Sequence, residues 1–194
     1  MYYGNRLWDK FFFKGAAAMN GTLNDGSKTD QAGGVDLVLA ELDITGHGLL
    51  AGSLIYIQGT TNFDGMRRIH SVDTNVINID VTGDGYPSAD ETVASSDLWF
   101  PGVKYDTDWL FLGFKLHLDA ASSTDEDLEC LVDADKGSQF DVKIYDDSML
   151  NVQDIIQIYE PAIPMAAEDI VKFTWANTNT KTWGLEVWAA RMQA

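Results

Sequence analysis

The chain has 194 residues, 45% of them hydrophobic and 22% charged, enough length for a real core and a composition ordinary for a globular protein. Its 13 Lys and Arg stand against 30 Asp and Glu, a formal charge of −17. That balance argues against a duplex-binding surface, which needs clustered cations for phosphates, and Arg67–Arg68 is the only adjacent basic pair. An acidic shell of this kind serves solubility and suits a salty medium equally well. The single cysteine, Cys130, permits no intramolecular disulfide, and no eighteen-residue apolar run offers a transmembrane helix. The opening MYYGNRLWDKFFFKGAAAMNG is broken by Asp9, Lys10 and Lys14, so it is not read as a signal peptide.

Residues 1–34 open with an aromatic cluster that includes Trp8, Phe11, Phe12 and Phe13. Such a cluster must be covered, either as a first strand of the fold or as an arm on a neighbouring subunit. The following stretch, 20–34, has turn composition and reads as a loop. Residues 35–81 alternate short apolar runs with tight turns: VDLVLAEL, LIYIQ, MRRIHSV and VINIDV. Four or five short strands so joined would leave too many edges in a flat sheet, so a small β-barrel is expected. Residues 82–107, with Pro87 and Pro101, read as a linker, with a boundary near Ser95–Ser96.

Residues 108–194 are organised around WLFLGFKLHLDA, Trp109 to Ala120. Every second residue from Leu110 to Ala120 is apolar, which predicts a long strand with that set on one dry face. Strand patterns recur after it. Leu128, Cys130 and Val132 share a face, as do Phe140, Val142 and Ile144. Ile155, Ile156 and Ile158 lie in a segment that Pro161 and Pro164 are expected to close. Val171, Phe173 and Trp175 face one way, and so do Trp183, Leu185, Val187 and Ala189, leaving Trp188 opposite with Glu186. The fold class is therefore all-β: a small barrel-like module, then a jelly-roll-like antiparallel β-sandwich.

The order GHGL, Gly, LIYIQGTTNFDGMRRIHSVD, strand over Gly46–Ile79 resembles a small β-barrel module of virion proteins in tailed bacteriophages. The Trp109–Ala120 strand, VDADKGSQFDVKIYDDSM and AAEDIVKFTWANTNTKTWGLEVW resemble the jelly-roll-like part of the same broad group. The resemblance implies a virion structural role such as capsid decoration, at the particle surface. The major capsid protein or other virion proteins would then be its partners, in a homo-oligomer expected to be a trimer. A tail or fibre module that recognises carbohydrate is the alternative, and a β-sandwich hydrolase with paired carboxylates ranks third.

Sites for chemistry are sparse. Asp133-Ala-Asp135-Lys-Gly137 has the flavour of a calcium loop, but Gly137 falls one position early and Ile144 stands where the closing Glu belongs. The acidic stretch Asp80–Glu91 could gather oxygens, though a linker needs no metal. His47, in a glycine turn, is expected to be exposed or to cap the turn. His47, His70 and His117 lack ligand spacing, and there is no nucleophile elbow, phosphate loop or dinucleotide fingerprint. No catalytic residue, metal, cofactor, nucleic acid or membrane is expected. The candidate contact residues are Trp8, Phe11, Phe12, Phe13, Trp99, Phe100 and Trp188.

Overall fold

A computed structural model describes residues 8–23, 25–30, 38–81 and 98–192. Within them the chain is all-β, with antiparallel strands, no α-helix and a single 3-10 turn at Ser138–Phe140. The strands are β1 (Trp8–Gly15), β2 (Gly21–Thr22), β3 (Asp25–Asp30), β4 (Val38–Asp43), β5 (Leu54–Gln58), β6 (Gly65–Val72), β7 (Val76–Asp80) and β8 (Leu98–Phe100). They continue with β9 (Gly102–Lys104), β10 (Trp109–Leu118), β11 (Asp127–Asp133), β12 (Val142–Ser148), β13 (Asp154–Met165), β14 (Ile170–Thr174) and β15 (Trp183–Arg191).

Two four-stranded sheets, β1-β15-β10-β13 and β12-β11-β14-β9, enclose the larger core. Alternation explains the burial. Leu128, Cys130 and Val132 of β11, Phe173 of β14, and Trp183, Leu185 and Val187 of β15 point into one cluster with Trp175. A third sheet, β2-β8-β5-β6-β7-β4-β3, buries a second cluster that includes Leu42, Ile57, Ile69, Ile79 and Trp99. β6 is the corner of that sheet. Its Gly65–Arg68 half pairs with β5, its Ile69–Val72 half pairs with β7, and the register shifts between Ile69 and Ser71. The four strands expected between residues 35 and 81 are all present.

Several expectations change. Of the two readings of the aromatic segment, Trp8–Gly15 takes the strand rather than the arm: it is an edge strand paired along its whole length with β15, and its Phe13 lies in the core. Residues 1–7 lie outside the described residues. Asp25–Asp30, expected as loop, pairs with β4, because a polar segment can still complete a backbone ladder at a sheet edge. The end of the expected linker is not a connector either. Leu98–Lys104 runs from one sheet into the other, with Trp99 in the smaller core, Val103 in the larger, and Phe100 stacked on Tyr56 at 5.4 Å between them. The Ser95–Ser96 boundary and residues 82–97 lie outside the described residues.

The central strand also departs from strict alternation. Phe111 and Gly113 of β10 pair with consecutive residues of β15, Ala189 and Trp188, so Leu112 is an extra residue. The bulge swaps faces. Trp109 and Phe111 before it and Phe114, Leu116 and Leu118 after it all enter the larger core, while Leu110 and Leu112 are turned to the other face. Gly113 is required here: its φ is +145°, and a Cβ would collide with the Gln157 carbonyl oxygen. Opposite the bulge, β13 places Tyr159–Ala162 against Leu112 alone. β13 passes through Pro161 and Pro164 instead of ending there, because an edge strand has N–H groups that no neighbour needs. Phe140 and Val142 are 58% and 53% exposed, not on a buried face with Ile144: Phe140 belongs to the 3-10 turn rather than to a strand, and β12 begins only at Val142 and shifts register between Tyr145 and Lys143.

Candidate functional site

The face of the sheet β1-β15-β10-β13 turned away from the core is the part of the molecule built least like an ordinary surface. The register lays out its rows. Trp8, Ala190, Leu110 and Pro164 cross the sheet at one end, and Lys14, Gly184, His117 and Asp154 cross it at the other. Between them lie Lys10 beside Trp188, and then Phe12, Glu186, Lys115 and Ile156. Trp8, Phe12, Ile156 and Ile158 are 58%, 56%, 66% and 64% exposed. These four stand on the two edge strands, and the strands between them carry Ala190, Gly184, Leu110 and Leu112 together with Trp188, Glu186, Lys115 and His117. The face is thus a trough with apolar walls.

Two hollows lie along it. The first, of about 510 Å³, is lined by Trp8, Lys10, Leu112, Ile158, Tyr159, Glu160, Ala162 and Trp188. The β10 bulge builds its floor by turning Leu112 outward, and the three-residue excess of β13 builds its rim. The second, of about 450 Å³, lies among Phe12, Lys14, Lys115, His117 and Glu186, over Gly184, where a side chain would meet only open space.

The polar centre of the face is Glu186. Its carboxylate accepts the Trp188 Nε1–H at 2.7 Å and pairs with Lys10 at 2.9 Å and Lys115 at 3.3 Å. The indole N–H first, and then the two ammonium groups, hold its pKa down at about 2, well below the usual carboxylate range. Toward the polar end, His117 Nδ1 and Asp154 Oδ1 lie 2.6 Å apart, both well exposed. Chemically the face offers apolar contact, flat aromatic surface and charges already paired, which equips it for binding.

Of the seven candidate contact residues, three meet on this face: Trp8, Phe12 and Trp188. Phe11 points to the other side and meets Tyr105 edge-on at 5.9 Å. Phe13, Trp99 and Phe100 are each 2% exposed, so burial removes them from any contact surface. The pattern missed Lys10, Leu110, Leu112, Lys115, Ile156 and Ile158. One signal was present, since Ile155 and Ile156 are adjacent and cannot share a face of a strand.

Other candidates are held differently. His47, expected at the surface or as a cap, is 4% exposed and does cap its turn: Nδ1 accepts the Leu49 N–H at 2.9 Å and Nε2 donates to the Asp73 carbonyl at 2.9 Å. Cys130 is fully buried, and desolvation pushes its thiol well above the ordinary range. In the 133–137 loop, Asp133 pairs with Lys172 at 2.7 Å, and Asp141 accepts the Ala134 N–H at 3.0 Å. Among the described residues no group of three or more His, Cys, Asp or Glu is placed to hold a metal ion, and no helix is long and apolar enough to cross a membrane. Comparison with protein-family profiles, curated proteins and solved structures finds no match to the chain.

Proposed function

We propose that this chain is a structural protein of a tailed-bacteriophage particle, a capsid decoration protein that binds the major capsid protein or its neighbours and stabilises the head lattice. The observation that carries the reading is the strand order of the sandwich. Numbered along the chain as β1 and β9 to β15, its eight strands lie in the orders 1-8-3-6 and 5-4-7-2. We read this as a jelly roll, two interleaved Greek keys, an architecture common in viral capsid and lectin domains. The link from fold to role is an analogy, and it is strengthened by the phage-like segments it accommodates. GTTNFDG forms the β5–β6 turn of the inserted seven-stranded sheet, which we read as an opened barrel, and TWGLEVW forms β15 beside the central strand.

The mechanism is non-covalent clamping, with buried area across subunit joints resisting the pressure of packaged DNA, and we assign no enzymatic step. The second reading, a tail or fibre module for carbohydrate, is favoured by one observation: Trp8 and Trp188 line the same hollow, and aromatic faces stack on sugar rings. Counting copies of the chain per purified particle by quantitative mass spectrometry decides between them. A ratio to the major capsid protein near one, or a simple fraction of it, supports decoration. A dozen copies places the chain in the tail, and absence from particles refutes both.

A further inference from the structure

We infer that the outer face of the sheet β1-β15-β10-β13 is a self-association surface, on which a second copy of this chain packs face to face. The inference goes beyond the particle assignment and does not depend on it.

Charge is the first reason. The face carries Lys10, Lys14 and Lys115 against Glu186, Asp154 and Glu160, three of each sign, so the −17 of the chain lies entirely elsewhere. Two copies bringing any average acidic surface together would be repelled at contact; through this face they are not. Its central charges also arrive with partners in place, because Glu186 already holds both Lys10 and Lys115. An acceptor for them need not come from the second molecule.

Area is the second reason. Four strands about 4.8 Å apart and some eight residues long present about 500 Å² per copy, so two faces bury about 1,000 Å², near the lower bound for a specific interface. The apolar part is concentrated in residues that a lone sandwich would not expose, with Ile156 and Ile158 each about two-thirds exposed on one wall and Trp8 and Phe12 more than half exposed on the other. A single such face among the described residues matches a two-fold, isologous dimer, since the same patch serves both partners. A ring of three would need two different patches on each copy. Sheets packed this way lie about 10 Å apart, a gap that the Trp8, Phe12 and isoleucine walls of the two copies would fill by interdigitation.

The experiment is sedimentation equilibrium of the full chain at low and high salt. The expected species is a dimer of twice the 21.4 kDa chain mass, tighter at high salt because the net charges of the two copies are then screened. Ile156→Ser with Ile158→Ser should weaken association by roughly a hundredfold or more, while the thermal melt of the monomer is kept, because both side chains are exposed. Phe140→Ser with Val142→Ser, in the 3-10 turn and β12 of the other sheet, should leave the dimer intact. A chain that is monomeric at every salt concentration overturns the inference. So does a trimer, or a dimer that survives the isoleucine substitutions.

Discussion

Gly113 is the residue on which the two faces of the central sheet depend, and its replacement tests that directly. Gly113→Ala puts a side chain at φ +145°, where an L-residue costs about 1–3 kcal/mol. The new methyl also meets the Gln157 carbonyl oxygen, part of the backbone of β13, so relief requires the edge strand to move, at about 1–3 kcal/mol more. The expected loss is therefore about 2–6 kcal/mol, a large share of the stability of an ordinary domain. A second change isolates the cause. Deleting Leu112 removes the extra residue, makes the β10–β15 register continuous, and leaves Trp109, Phe111 and Phe114 facing the same core. It forfeits the packing of Leu112 against Ala162, Ala190 and Trp188, about 1–2 kcal/mol, and leaves Tyr159–Ala162 of β13 to loop out opposite no residue of β10. With the bulge gone, residue 113 adopts an ordinary strand φ, and alanine there should cost less than about 1 kcal/mol. Urea unfolding of the four chains, followed by the fluorescence of the six tryptophans, gives the double-mutant cycle. An alanine penalty as large without Leu112 as with it refutes the account, and so does a penalty below about 0.5 kcal/mol in the intact chain.

Glu186→Gln should cost about 1–2 kcal/mol at neutral pH, a figure discounted for the exposure of Lys10 and Lys115. Because the folded-state pKa of about 2 lies below the unfolded value, the native advantage is complete above about pH 4.5 and fades as pH falls toward 2. A difference between the two proteins that stays constant from pH 7 to 2 contradicts this. Asn177→Ala removes hydrogen bonds from Nδ2 to the Ala17 and Lys181 carbonyls, at 3.0 and 2.9 Å, and the one its Oδ1 accepts from the Lys181 N–H at 2.9 Å. Calorimetry should show a loss of about 2–3 kcal/mol, a Tm lower by roughly 5–10 °C, and an unchanged Tm would show that the β14–β15 turn does not need this tie. Cys130 should resist a thiol reagent in the native protein and react once per chain in urea, whereas native reactivity like that of free cysteine would mean the core opens there.

Alternation along the chain was enough to identify the strands from β4 to β7 and from β10 to β15 and to orient many of them, whereas β2, β3, β8 and β9 lay in stretches read as loop or linker. Leu128, Cys130 and Val132, and Trp175, Trp183 and Trp188, lie on the sides their period of two assigns, because side-chain direction in a regular strand is a local property. What depends on neighbours was not legible. Phe140 and Val142 escape burial because a 3-10 turn interrupts the chain before β12, and whether Pro161 and Pro164 end a strand depends on β13 being an edge. Trp99 and Phe100 sat in a stretch of linker composition, yet two cores close around them from segments far away in the chain. The candidate face shows the division most sharply. Its residues come from both ends of the chain, joined by the β1–β15 pairing, and its apolar floor exists because one extra residue beside Gly113 reverses the alternation of β10. A hydrophobic pattern specifies what must be hidden, whereas partners, edges and bulges, which are long-range, decide which side of the sheet does the hiding.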